Sequence, residues 1–400
     1  MRVALLSRGA HPLHEPGGLE RAVFDLARHL QARGVETVLL TRPATREGTF
    51  PGEVLAVPYG GRAARHGRVL DRTLYYPRFA HRLGEKAAAL VRARRVDVVH
   101  AQGLTALGYG RCRRRDPSLT APLVMNPQGM EEHKTTGVKR VALSRLRLLS
   151  RRAARDADRV IATDASTRAE VVALLGVAPE KVVVLPNGID PESIAAATPP
   201  DPRGAAARAV PGLAEADPVF LSVGRIEAYK GFADALAAFH ALADAGRLPP
   251  RWAWVVVGDG PGRGELVRRT PAPLEGHVFL TGRVDEGALH ALYARADVFV
   301  HASRFEGSSL VTLEAMAHGL PVVATRAGGI PDKVEDGLTG RLVAPGDVPA
   351  LAAAIAAVAH DRARAEMGRR GRERALESFA WPAIAERTIA LYRELTEGRS

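Results

Sequence analysis

The chain has 400 residues, 46% of them hydrophobic and 25% charged, which describes folded domains with sizeable cores and excludes a disordered chain. The balance of 56 basic against 44 acidic residues gives a formal net charge of +12, and the single cysteine, Cys112, excludes an intrachain disulfide and suits a reducing compartment. No apolar run reaches the ~20 residues of a membrane span. Met1 leads straight into VALLS without a signal-like apolar region, so a cytoplasmic protein is expected.

Residues 2–7 (RVALLS) read as a buried strand. The loop after it, SRGAHPLHEPGGLE, places Gly17 and Gly18 directly before a helix over 19–33, in which Leu19, Val23, Leu26 and Leu30 form a one-sided apolar stripe. A glycine pair there lets the backbone approach an anion at the helix start, and it fits a plain tight turn equally well. His11, His14 and Glu15 share this loop. Their order is not the helical HExxH of zinc enzymes and no third ligand has fitting spacing, so no metal is expected.

VETVLLT, DVVHAQ, PLVMN, RVIAT and VVVLPN continue as strands separated by amphipathic stretches, which predicts an α/β doubly wound domain over residues 1–190. His100 and Gln102 fall at the carboxyl end of DVVHAQ, where such domains bind ligands, and His100 reads either as a hydrogen-bonded strand-end residue or as a substrate contact. Arginines crowd two segments, one holding Arg62, Arg65, Arg68, Arg72, Arg78 and Arg82, the other RCRRR at 111–115. They suit an anionic surface or a merely solvated basic face. Without interleaved aromatics or a reading helix, nucleic acid is not expected.

Residues 189–217, rich in Pro, Ala and Asp, read as an interdomain linker with some helix. PVFLSVG, WAWVVVG, VFLTG, DVFVHAS, PVVAT and GRLV then predict a second α/β domain over 191–377, and WPAIAERTIALYREL predicts an amphipathic helix, so that 378–400 would pack back on the first domain. After the first of these strands, VGRIEAYKG carries Gly224, Arg225 and Lys230; two cations in a loop at a helix start can neutralise a diphosphate, Arg by forked hydrogen bonds and Lys as a point charge. After DVFVHAS come Glu306, Gly307, Ser308, Ser309 and Leu310, then Glu314. A helix is expected over 310–318, stopped by Gly319, with Ser308 and Ser309 as N-cap candidates and an anion-attracting start. Glu314, about one and a half turns in, can accept bonds from vicinal hydroxyls. From spacing alone, Glu306 and Glu314 fit solvated carboxylates as well.

Taken together, these segments resemble the retaining, nucleotide-sugar-dependent glycosyltransferases of family 4. The likeness covers nearly the whole chain and rests on the E-x7-E segment FEGSSLVTLEAMAHGLPVVATRAGGIPDKVEDGLTGRLV with SVGRIEAYKGF, VGDGP, VLPNGID, GGLERAV and DVVHAQG. It implies the GT-B fold, two Rossmann-like doubly wound domains facing across a cleft. It also implies transfer of a hexose, with retention, from an NDP-sugar (UDP or GDP) to an acceptor hydroxyl on a glycan, a lipid or a small metabolite, without cofactor or metal. By the same resemblance Arg225 and Lys230 hold the donor diphosphate, Glu314 the ribose hydroxyls, and Glu306 lies near the donor sugar. Gly17, Gly18, Gly224, Gly307, Ser308 and the amides of Ser309 and Leu310 line the donor, while the backbone at Arg283 and Val284 meets the base. His100 and Gln102 join Arg225, Lys230 and Glu306 as catalytic candidates; His14, Glu15, Gln128 and Glu131 are acceptor-side candidates. Gln102 and Gln128 stand where histidines are common in the family, and a glutamine can hydrogen-bond a hydroxyl but cannot titrate near pH 7. Two alternatives stay open: an NDP-sugar epimerase of the same fold, and a non-catalytic sugar- or lipid-surface-binding protein. The basic segments add peripheral contact with an anionic inner membrane face to the expected partners.

Overall fold

The computed structural model describes residues 1–15, 17–60, 71–127, 130, 133, 141 and 143–398, apart from the side chain of Arg72. The expectations for Arg62, Arg65, Arg68, Gln128 and Glu131 fall outside the described residues. The chain forms two compact units, one of Met1–Asn187 with Trp381–Ser400 and one of Gly188–Ala380. Each is a parallel sheet with helices on both faces, the doubly wound α/β architecture.

In the first unit the strands are β1 (Arg2–Leu6), β2 (Glu36–Thr41), β3 (Glu53–Ala56), β4 (Val98–Gln102), β5 (Leu123–Asn126), β6 (Arg159–Ala162) and β7 (Val182–Val184), in the order β3-β2-β1-β4-β5-β6-β7. β4 and β5 are buried throughout and mostly apolar because helices cover both faces. The sequence pattern does not announce β3. It is a four-residue edge strand whose residues alternate between half-buried and exposed. The order reverses between β1 and β4, which lie side by side with Leu5 opposite His100. Ligands of such sheets bind beyond the strand ends at this point. On one face, Val3, Leu5 and Val98 pack with the helices Gly18–Gln31 and Trp381–Glu397, the latter contributing Trp381, Ile384 and Tyr392.

The second unit holds β8 (Val219–Val223), β9 (Ala253–Val257), β10 (Val278–Gly282), β11 (Val298–His301), β12 (Val322–Thr325) and β13 (Gly340–Val343), ordered β10-β9-β8-β11-β12-β13. Here the reversal lies between β8 and β11. The Pro- and Asp-rich stretch expected as a linker builds two short helices, Pro191–Ala197 and Pro202–Ala209, within this unit. In each an Asp, Asp190 or Asp201, accepts a bond from a first-turn amide and a proline follows it, a combination that starts helices efficiently. Among the described residues no helix is long and apolar enough to cross a membrane.

Two glycines separate backbone strain from steric conflict. Gly231 (φ +71°) ends the loop after β8 and a Cβ there would collide with the Ala302 carbonyl just past β11, whereas Gly319 (φ +77°) has nothing within 4 Å of the same position. Gly319→Ala should therefore cost only the left-handed penalty of about 1–2 kcal/mol. Gly231→Ala should cost about 3 kcal/mol because the strand end must also shift. Urea unfolding followed by tryptophan fluorescence checks the order, since two of the three tryptophans, Trp252 and Trp254, lie in this unit.

Candidate functional site

The loops that leave β8 and β11 meet at the reversal point of the second sheet. Strand β11 ends at His301, held in register opposite Ala324 of β12. The chain then turns through Ser303, whose hydroxyl donates to the Phe305 carbonyl at 2.6 Å, and Arg304, whose guanidinium forks onto both oxygens of Asp234 at 2.8 and 2.7 Å. The Arg304 amide donates to the Tyr229 carbonyl at 2.7 Å, which ties this turn to the loop after β8.

These constraints bring Lys230 and Glu306 together. The Lys230 ammonium lies 2.9 Å from Oε1 and 2.8 Å from Oε2 of Glu306, and Nε2 of His301 reaches the same Oε2 at 2.8 Å. Glu306 is only 9% exposed. Burial pushes its pKa up, but the hydrogen bond and charge of His301 and the Lys230 ammonium more than offset this and hold it at about 2. His301 was not among the residues singled out from the sequence. Its signal is its place as the last strand residue five positions before Glu306, which no pattern of charges reveals.

Ser309 occupies the cap position of the helix Leu310–Ala317, yet its hydroxyl makes no cap bond, contrary to the expectation. It is buried, accepts from the Thr312 hydroxyl at 2.9 Å and lies 3.4 Å from His301 Nε2, so the side chain is turned inward to the strand end. Glu314 sits in the same helix, where its Oε2 accepts a bond from the Tyr293 hydroxyl at 3.0 Å. Burial, followed by the Glu314 charge, drives the Tyr293 pKa well up, so the phenol stays a donor. Gly307 and Ser308 are half-buried, and the Gly307 carbonyl accepts from the Gly329 amide at 3.1 Å. At Gly328 (φ +51°) a Cβ would collide with the Glu306 carbonyl, so the loop after β12 closes on Glu306 only because that residue is glycine.

Arg225 is not drawn into this cluster. Its side chain is 68% exposed, and its guanidinium pairs with Glu227 at 2.8 Å. Gly224 (φ +153°) bonds the end of β9 through its amide, to the Val257 carbonyl at 3.0 Å. The Gly258 amide in turn reaches the Gly282 carbonyl at 2.8 Å, lacing together the loops after β8, β9 and β10. Arg283 is exposed and Val284 half-buried immediately after β10.

In the first unit, His100 and Gln102 project from β4 on one face. The Gln102 amide nitrogen lies 3.4 Å from His100 Nε2, and His100 Nδ1 is 2.6 Å from the Tyr392 hydroxyl. An amide donating to Nε2 makes Nδ1 the protonated nitrogen, donating to Tyr392. Complete burial depresses the His100 pKa to about 4, so the ring is neutral at pH 7. Beside it lies a small pocket lined by Gln102, Asn126, Asn187, Trp381 and Thr388. Gly17 and Gly18 are exposed at the start of the helix Gly18–Gln31, with Gly17 extended. His14 is buried with Nδ1 accepting from the Ala10 amide at 3.1 Å and Nε2 3.3 Å from the Arg42 carbonyl, so both nitrogens serve the loop's own backbone, while Glu15 is exposed.

Comparison with known proteins places these two sites in context. The family described as Glycosyltransferase Family 4 matches residues 16–193 and that described as Glycosyl transferases group 1 matches residues 205–374. The chain is similar to a glycogen synthase of Mycobacterium tuberculosis (31% identity over 421 residues, all of this chain and 96% of that protein). It is also similar to a D-inositol 3-phosphate glycosyltransferase of Kineococcus radiotolerans (32% over 444 residues, all of this chain and 96% of that protein). Among solved structures, sucrose-phosphate synthase from Thermosynechococcus elongatus superposes with a TM-score of 0.78 at 24% identity, covering 99% of both chains. HepE of Anabaena in complex with UDP-glucose gives 0.73 at 21%, covering 98% of this chain and 100% of that one. The fold is therefore GT-B.

The Glu306 cluster has a pH signature. A carboxylate whose folded pKa is about 2, below the ordinary 4.5, contributes stability that is complete above pH 4.5 and is lost as pH falls towards 2. The urea midpoint of the wild type should fall more steeply across that window than that of Glu306→Gln. Parallel curves for the two proteins would show that Glu306 is not ionised by its partners as described.

Proposed function

The chain belongs to the group 1 glycosyl transferases of family 4, and from that premise we propose that it moves a hexose from a UDP- or GDP-sugar to an acceptor hydroxyl, on a glycan, lipid or small metabolite, with retention and without a metal. The observation that carries this reading is the buried Lys230–Glu306–His301 cluster at the reversal point of the second sheet. An ammonium on a flexible stem, set in the loop after β8, is suited to the negative charge that builds on a departing diphosphate. Arg225, exposed on the same loop and paired with its near neighbour Glu227, can swing onto the same phosphates, where its planar fork can bind two oxygens.

Glu306 is too acidic to hold a proton at neutral pH, so its role in this reading is electrostatic and orienting rather than that of a general acid. Glu314, braced by Tyr293 in the second turn of its helix, suits a pair of ribose hydroxyls. The acceptor hydroxyl must lose a proton. In the front-face route the leaving diphosphate takes it, and the protein supplies alignment and charge stabilisation. HepE, bound to UDP-glucose, supports a uridine donor by similarity.

Incubation with UDP-, GDP- and ADP-sugars, with nucleotide release as the readout, tests the reading directly. One donor should be turned over, slowly even without acceptor. Lys230→Ala should lose roughly 100- to 1000-fold in rate, the scale of removing one preorganised charge from a developing anion. Arg225→Ala should lose less, because its site is wetter. Near-normal turnover by both variants would refute the assignment.

A further inference from the structure

This inference rests on the proposed donor-site function of Lys230 and Glu306. A carboxylate as buried as Glu306 must keep a partner, because an uncompensated buried charge is strongly unfavourable. In this structure Lys230 supplies two of its contacts. If Lys230 turns to a diphosphate, those contacts weaken at the moment when the carboxylate must stay in place. A further contact comes from Nε2–H of His301 at 2.8 Å.

His301 is built to hold position. It is 4% exposed, it is the last residue of β11 and so is fixed by the sheet register, and its ring stacks on Phe299 with centroids 6.0 Å apart and planes 16° off parallel. The same nitrogen lies 3.4 Å from the Ser309 hydroxyl, which links the strand end to the helix that carries Glu314. A neutral imidazole with its proton on Nε2 is sufficient for this contact. No proton transfer is required.

We infer that His301 is a positioning residue for the transfer reaction: it anchors Glu306 through Nε2–H···Oε2 so that Lys230 can leave the carboxylate for the donor diphosphate. Its substrate-side consequence is indirect, since His301 acts only through Glu306. The lysine is thereby shared between two anions, a resident carboxylate and an incoming phosphate, with the histidine as the fixed third party.

The test is a double-mutant cycle with nucleotide-sugar turnover as the readout. His301→Phe keeps the ring volume and removes the donor; kcat should fall roughly ten- to a hundredfold, the usual effect of losing a residue that orients a site group. The dissociation constant for the nucleoside diphosphate alone should stay near that of the wild type. His301→Gln, which restores an N–H, should recover most of kcat. In the Glu306→Gln background, His301→Phe should cost little more, because the group it positions has already changed. Losses that multiply in the double variant, or a His301→Gln variant as slow as His301→Phe, overturn the inference. A measurement on the wild type stands apart from any folding defect in the variants. The hydrogen-bonded Nε2 proton of His301 should persist in NMR spectra at saturating nucleoside diphosphate, and its disappearance also overturns the proposal. If the wild type neither binds nor turns over a UDP-, GDP- or ADP-sugar, the donor-site reading itself fails and the role of His301 falls with it. Turnover by the wild type with a multiplicative cycle removes the role of His301 alone.

Discussion

The geometry of the second unit's site depends on keeping one buried carboxylate ionised. Glu306 lies beside the end of a parallel sheet, where solvent can offer it little, so cationic and hydrogen-bonding partners must come from the protein. Lys230 arrives from the loop after β8 and His301 from the end of β11, and those two strands are neighbours because the strand order reverses between them. The topology thus creates the place and the carboxylate fixes its contents. Around it the backbone is drawn in unusually close. Gly231 lies against the Ala302 carbonyl and Gly328 against the Glu306 carbonyl, approaches that a side chain would prevent. The Arg304–Asp234 fork and the Arg304 amide then pin the outer edge of the turn. A loop secured at this many points can hold a charge where a mobile loop would let water in and screen it.

How much of this was legible in the sequence follows from the same physics. Buried parallel strands are apolar on both faces, so VFLSV, AWVVV and VFVH announce themselves as unbroken runs, and the helix Leu310–Ala317 and its stop at Gly319 follow from composition and a glycine able to adopt positive φ. Strand β3 does not, since an edge strand of four half-exposed residues carries no such signature. Within the site, Lys230 and Glu306 were legible as chemistry, but their contact was not, because it spans 76 residues and depends on which strands become neighbours. His301 was hidden for a related reason: in a strand that is buried on both faces, nothing in the one-dimensional pattern says which polar residue meets a carboxylate. Ser309 shows the opposite error. Its position promised a helix cap, but the nearby Thr312 hydroxyl and His301 turned its side chain inward, a tertiary preference that outweighs the local one.

The first unit repeats the topology with different electrostatics. At its reversal point the residues on β4 are neutral: His100 is held uncharged by burial, with Tyr392 on one nitrogen and the Gln102 amide on the other. A histidine in that environment is a poor general base, because accepting a proton would place a charge in a fully desolvated site and break the bond donated by the amide. Gln102 cannot accept a proton at all near neutral pH. Neither group at the end of β4 is therefore arranged to drive a reaction by proton transfer; both are arranged to offer hydrogen bonds of fixed direction. At the second unit's site, by contrast, Lys230 is paired with the Glu306 carboxylate and Arg225 is exposed.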